Sequence, residues 1–391
     1  MDKRVAILGA GQLAKYLVVA AKKLSIPVTV VAQSLNEPAC FESVPVVAGT
    51  WTAELMLKVF QDHDVVTFEN EWISDSLLSQ VVAAGLIHKM APSHASMKKV
   101  RTKWDQKKFF MEQKYPTAKA ILGSESDFFQ LDHVKDLFAQ FPKGVVLKES
   151  ELAYDGKGVF VFLLEDQEKC LVKAQEMIQK KKPWYIEQRI PFQKELALVF
   201  TRGTKEEFVH FPLVEFFSEN GICSMVFVET SPSLEMQRLE KQAVAIARDL
   251  SSKLNWRGTA AIEFFLSEQG ELLINEFAPR VHNSGHFSLS ASQTSQFENH
   301  MRAIVGMDLG RCDTAPFAVM KNLIGTPNSS ISKEPSNESG VDIFWYQKSE
   351  IRPGRKMGHV NAHGKFSHKH EMIDKVNQLV EKWKLSTILK A

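Results

Sequence analysis

The sequence is short of cysteine, of net charge and of long apolar runs, and each shortage removes a class of protein. Its four cysteines, Cys40, Cys170, Cys223 and Cys312, lie far apart and form no Cys-x-x-Cys. That spacing fits neither a disulfide framework nor a cysteine zinc site, and it predicts reduced thiols in a cytoplasm. A formal net charge of +2 over 391 residues gives no electrostatic footprint for nucleic acid or an anionic membrane. No apolar stretch reaches the roughly 18 residues of a bilayer span. The first residues run into a strand-like segment rather than a signal-peptide pattern. What remains is an ordinary globular composition, 44% hydrophobic and 24% charged, without internal repeats. The chain is too long for one compact core, so two or three domains are expected.

Strand-like and helix-like segments alternate at the start. Arg4 to Leu8 reads as a buried strand, and Gly9-Ala-Gly-Gln-Leu-Ala14 turns it into a helix running to about Leu24. Val28 to Ala32 and Val65 to Phe68 read as further strands, with a helix around Leu55 to Gln61 between them. This order implies a doubly wound parallel sheet. Gly9-x-Gly11-x-x-Ala14 matches the dinucleotide fingerprint, but Gln33-Ser34 stands where an acid should follow the second strand. The turn is therefore structural, or holds a phosphate of some other ligand. Glu69 and Glu71 leave the carboxyl end of a strand, where such sheets bind ligands; solvated loop acids are the alternative. Pro92-Ser93 marks a boundary, and Ser96 to Gln113 reads as one basic helix whose lysines mostly face solvent.

Farther on, Val145 to Lys148 and Val159 to Leu163 read as two strands around a loop with two glycines and a lysine, a pattern that can point N–H groups and an ammonium at phosphate; an ordinary hairpin turn is the plainer reading. Pro183 to Ile190 is a strand running into a hinge, followed by strands at Glu195 to Phe200 and Phe208 to Phe216, with Asn220-Gly221 as a hairpin turn. Ser233 to Leu254 reads as an amphipathic helix. Two apolar runs then each deliver a carboxylate, Glu263 and Glu276, across the turn-forming Leu266 to Gly270. A hairpin sets these acids side by side, where they repel unless a cation such as Mg²⁺ lies between them; a solvated surface hairpin is the plainer reading. Arg280 follows, aimed at an anion. His282 and His286 bracket Asn-Ser-Gly, which argues for a loop rather than a zinc-binding helix. Leu323 to Ser339 reads as a polar linker, and Glu371 to Trp383 as a final helix.

Assembled in order, several motifs carry a resemblance. They are Tyr154-Asp-Gly-Lys-Gly158, Asn275-Glu-Phe-Ala-Pro-Arg280, His282-Asn-Ser-Gly-His286, Ser295-Gln-Phe-Glu298, Trp345-Tyr346 and Arg352-Pro-Gly-Arg-Lys-Met-Gly-His359. Together they span nearly the whole chain, which resembles the ATP-grasp superfamily and, within it, the 5-(carboxyamino)imidazole ribonucleotide synthase family. The resemblance implies an α/β fold with a Rossmann-like parallel sheet at residues 1–93. An ATP-grasp domain at 94–309, with a mobile lid at about 119–187, and a small β-rich domain at 310–391 would follow. It implies a homodimer and an ADP-forming ligase of purine biosynthesis. That ligase carboxylates aminoimidazole ribonucleotide with bicarbonate and ATP, through carboxyphosphate.

By the same resemblance, Lys103, Lys148, Asn275 and Glu276 meet the nucleotide, and Ala153, Tyr154, Asp155, Gly156, Lys157, Gly158 and Val159 close over its phosphates. Glu187, Gln188, Arg189 and Ile190 would line the adenine hinge, and Glu195 would hold the ribose. Glu263 and Glu276 would bind Mg²⁺, and Arg280 would hold bicarbonate or carboxyphosphate. Tyr154 and Asp155, with Glu71, Asn283, Lys348, Arg355 and Lys356, would form the ribonucleotide and carboxylation pocket. Arg280, Tyr154, Asp155 and Lys356 are the catalytic candidates, and Gly9 and Gly11 would serve the ribonucleotide rather than NAD. Some positions depart from the family. Glu149-Ser-Glu-Leu-Ala153 replaces a segment ending in Gly-Gly, so backbone approach is restricted and Glu149 and Glu151 are expected to repel phosphate. Lys103 replaces an arginine, losing its bidentate reach; Ala14 stands for a glycine and Trp72 for an asparagine. Those changes bear on ATP use more than on fold. The competing readings are a ligase for another amine, a degenerate nucleotide-binding paralogue and, more remotely, a dehydrogenase.

Overall fold

A computed structural model describes residues 3–122, 131–151, 158–219, 221–326, 341–364 and 369–382. Four buried or half-buried runs at the start, β1 (Val5–Leu8), β2 (Val28–Ala32), β3 (Val46–Ala48) and β4 (Val65–Phe68), form a parallel sheet in the order β3-β2-β1-β4. Apolar residues on both faces of β1 demand cover on both sides, which the flanking helices give. Strand β3 was not foreseen; three residues are too few to show a period.

A second sheet is antiparallel. It consists of β5 (Ala120–Leu122), β6 (Val145–Glu149), β7 (Val159–Phe162) and β8 (Trp184–Gln188) in the order β5-β8-β6-β7. Helices Leu131–Gln140 and Gln167–Gln179 cover one face, where Leu147, Trp184 and Ile186 join a separate core. Strand alternation sends Lys148, Tyr185 and Glu187 to the other face.

The largest sheet contains β9 (Phe192–Arg202), β10 (Phe208–His210), β11 (Val214–Glu219), β12 (Ile222–Glu229), β13 (Gly258–Ser267), β14 (Leu272–Ala278), β15 (Phe317–Ile324), β16 (Val341–Trp345) and β17 (Lys356–Gly364). Its order is β14-β13-β9-β11-β12-β15-β17-β16, with β10 on β9. The C-terminal strands thus continue the sheet that carries Glu263 and Glu276. At the junction with the first sheet, Tyr16 meets the rings of Phe297, Phe344, Tyr346 and His359.

Three expectations need correction. The expected basic helix over Ser96 to Gln113 is two helices, His94–Lys98 and Lys103–Glu112, because Ser93 and Thr102 each accept an N-capping hydrogen bond and restart the chain. The run Phe208 to Phe216 is two strands, broken at Pro212, which has no N–H for the ladder. Leu323 and Ile324 belong to β15 rather than to a linker, whose residues 327–340 lie outside the described residues, as does Asn220. Among the described residues no helix is long and apolar enough to cross a membrane.

Candidate functional site

The antiparallel register of β13 and β14 places Glu263 opposite Glu276, beside a bulge. Ile262, Phe264, Ile274 and Phe277 are buried in the core, so the two acids occupy the opposite face. Burial raises the Glu263 carboxyl above its ordinary value, and the neighbouring Glu276 charge raises it further. Burial acts on Glu276 in the same sense, but the Lys103 ammonium bonded to its Oε2 outweighs it and holds that carboxyl low. Glu195, on β9 and half-buried, adds a third negative group to the field at Glu263, and burial raises its own carboxyl. Two adjacent oxygen donors fit a hard divalent ion that completes its shell with water and phosphate. Among the described residues no three acidic, histidine or cysteine side chains form a closed metal cage.

Above this pair, the inner face of the second sheet contributes an ion cluster. Glu187 Oε1 lies 2.5 Å from Lys148 Nζ, and its Oε2 lies 2.9 Å from Lys107 Nζ. Burial disfavours the Glu187 carboxylate, yet the two ammonium groups outweigh it and bring the carboxyl down to about 2. Lys148 also donates to Asn275 Oδ1 at 3.2 Å, joining the sheet to β14. The hinge amides are already engaged, Gln188 N–H by Lys119 O at 2.8 Å and Arg189 N–H by Gly144 O at 3.0 Å. The Arg189 guanidinium turns away to Lys143 O at 3.3 Å, and Ile190 is half-buried. Gly158 (φ +73°) accepts from Glu149 N–H at 2.7 Å, and Val159 pairs with Lys148. Ala153, Tyr154, Asp155, Gly156 and Lys157 lie outside the described residues. The repulsion expected from Glu149 is corrected: its carboxylate is 2.9 Å from Lys182 Nζ and its charge is compensated there.

On the side of the first sheet, Arg280 Nε donates to Glu71 Oε2 at 2.8 Å. The His282–His286 turn is held at both ends by one buried side chain, Gln296. Its Oε1 accepts from His282 N–H at 2.8 Å, and its Nε2 donates to His282 O at 2.7 Å and His286 Nδ1 at 3.1 Å. A Cβ on Gly285 would lie 2.7 Å from Gln296 Oε1, so only glycine lets the two approach. His282 Nε2 is 3.5 Å from Glu263, and burial followed by the charges of Arg280 and Lys356 keeps its imidazole neutral. Asn283 exchanges amide hydrogen bonds with Asn322 at 3.0 and 2.7 Å. Lys356 acts electrostatically on Glu263, while Lys348 donates to Lys356 O at 2.7 Å. Arg355 instead donates to Glu350 O at 3.0 Å, on the exposed side.

Gly9 and Gly11 do not present open N–H groups to a substrate. Glu69 fills the turn, accepting from Gly11 N–H at 2.7 Å and Ala14 N–H at 3.2 Å. The sheet thus supplies its own carboxylate where dinucleotide folds place a phosphate. Sequence reasoning also missed Lys107, Asn322 and the role of Gln296. For Lys107 a signal existed: Lys103, Lys107 and Phe110 recur at helical spacing, so the lysines share a face with a core residue.

Residues 112–297 match an ATP-grasp domain, residues 1–99 a ribonucleotide synthetase preATP-grasp domain, and residues 318–372 a phosphoribosylaminoimidazole carboxylase C-terminal domain. The N5-carboxyaminoimidazole ribonucleotide synthase of Saccharolobus solfataricus is 32% identical over 379 residues, covering 96% of each chain. A crystal structure of the carboxyaminoimidazole ribonucleotide synthase of Aspergillus clavatus with ATP is 27% identical, with a TM-score of 0.84 over 98% of this chain and 99% of that one. The Aspergillus clavatus synthase in complex with ADP and 5-aminoimidazole ribonucleotide is 25% identical, with a TM-score of 0.82 over 98% and 99% of the two chains.

Proposed function

The chain belongs to the N5-carboxyaminoimidazole ribonucleotide synthase family of ATP-grasp ligases, and on that premise we propose how its residues divide the reaction. It is an ADP-forming ligase that uses ATP to carboxylate 5-aminoimidazole ribonucleotide in purine biosynthesis. In our reading the carbon comes from bicarbonate. A bicarbonate oxygen attacks the γ-phosphorus, the bond to ADP breaks, and carboxyphosphate forms. Its CO₂ then joins the exocyclic nitrogen, which gives up a proton as inorganic phosphate departs.

Phosphoryl transfer of this kind asks for positioning and charge neutralisation rather than a protein nucleophile. Glu263 and Glu276 would hold Mg²⁺, which when bound neutralises phosphate charge. Lys148 and Lys103 would meet the phosphates. Ala153 to Val159 would close over them, Glu187 to Ile190 would flank adenine, and Glu195 would take the ribose. Arg280, fixed through Nε by Glu71, would hold bicarbonate. Tyr154, Asp155, Asn283, Lys348, Arg355 and Lys356 would serve the ribonucleotide. Division at 93/94 and 309/310, a homodimer and a cytoplasmic location complete the proposal, supported by family membership and by four cysteines present as free thiols.

One observation carries it: two opposed, half-buried carboxylates beside the ammonium groups of Lys103 and Lys148. ADP release by the purified protein with Mg-ATP and bicarbonate, with and without aminoimidazole ribonucleotide, is the test. Release should require the ribonucleotide and fall about a hundredfold or more in Glu276→Gln. Undiminished release in that variant would refute the assignment.

A further inference from the structure

We propose that Lys107 is a positioning residue for ATP binding: by taking one oxygen of Glu187 it keeps the Lys148 ammonium available to phosphate. The inference rests on the proposed contact of Lys148 with the nucleotide. Lys107, Glu187 and Lys148 are 1%, 3% and 7% exposed. Lys107 does not reach the cleft itself. Its ammonium donates to Thr117 Oγ1 at 2.6 Å, and Thr117 passes a hydrogen bond to Ile274 O at 2.8 Å, one residue before Asn275. The lysine is thereby fixed to the strand carrying Asn275 and Glu276 while it faces Glu187 on the second sheet.

Charge counting gives the reason for a second buried lysine. Glu187 and Lys148 alone would make a neutral pair, with both carboxylate oxygens drawing on one ammonium. With Lys107 the cluster carries a net +1, and Glu187 turns Oε1 to Lys148 and Oε2 to Lys107. On this count the surplus charge falls to Lys148, which donates to Asn275 and acts electrostatically on Glu276. Burying an ammonium is costly, and replacing a whole buried ion pair by apolar side chains is often neutral or stabilising, so packing alone does not call for a lysine here. Burial indeed lowers the Lys107 pKa, and neighbouring Lys148 adds to that effect. What lysine supplies there and methionine does not is the charge that occupies Glu187.

The test measures Mg-ATP affinity of the full chain by titration calorimetry. Lys107→Met should weaken binding about tenfold or more, the range expected for losing a hydrogen bond to a charged group. Lys107→Arg should recover most of it. In a Glu187→Gln background the same Lys107→Met change should have little effect, because no carboxylate then competes for Lys148. A packing role predicts equal losses in both backgrounds, and that result would overturn the proposal, as would wild-type affinity in Lys107→Met. If Lys107→Met fails to fold, Lys107→Gln, which still donates to Thr117, replaces it. Unchanged affinity in Lys148→Met would refute the nucleotide contact itself. A loss in Lys148→Met with none in Lys107→Met would refute the positioning role alone.

Discussion

Acid should weaken the join between the first sheet and the rest of the chain, and His300 gives the effect a size. This histidine is buried on helix Gln296–Val305. Its Nδ1 accepts from Thr259 N–H at 3.2 Å, so Nε2 carries the proton and donates to Thr67 Oγ1 at 2.9 Å. A second proton would turn the acceptor into a donor facing a donor, and burial lowers its pKa from 6.5 to about 4. The folded value lies below the unfolded one, so the unfolded chain takes up the proton first. The contribution to stability is complete above about 6.5 and is lost as pH falls towards the folded value. Between a pH of about 7.5 and about 5.5 the loss from this one residue amounts to roughly 1.4 kcal/mol. Urea unfolding at the two pH values measures it. The wild-type fall includes contributions from His286, held down to about 3, and from His282 and His359. The His300 share is the difference from His300→Asn, whose side-chain oxygen can still accept from Thr259. An identical fall in both proteins would refute the reasoning.

Two further substitutions test the supports of the site. Gly11→Ala would place a Cβ 2.8 Å from both Glu69 carboxylate oxygens and displace the anion that caps the turn; thermal unfolding should register a loss of about 1–3 kcal/mol. Asn322→Ala would deprive Asn283 of its paired amide, and steady-state kinetics should show a KM for the ribonucleotide raised roughly three- to tenfold with the ATP KM unchanged.

Local features were legible in the sequence. The strands β1, β2 and β4, the hairpin that opposes Glu263 to Glu276 and the strand pair β6–β7 each follow from residues close together in the chain. The features that were not legible depend on distant partners. Nothing near Glu69 announces that its carboxylate will fold back onto Gly11, 58 residues earlier. The pairing of Asn283, in a turn, with Asn322, on β15, and of Lys107, on a helix, with Glu187, on β8, likewise arises only when distant elements pack together. Glu149 shows the same limit, because its charge is compensated by Lys182, which follows the helix Gln167–Gln179 in the chain.

The pairing of β12 with β15 has a practical consequence for dissecting the molecule. Met225 to Glu229 hydrogen-bond along Phe317 to Lys321, and Phe227 stacks on Phe317 across that line. A chain cut near residue 310, at the proposed domain division, would still break a continuous sheet, because β15 pairs with β12 across that boundary. It would bare the flank of β12, with unsatisfied backbone groups and the apolar Met225 and Phe227 open to water, the kind of surface that recruits other strands. Fragments of this protein should therefore be sought by removing the second sheet, whose core is its own, rather than by trimming the end of the chain.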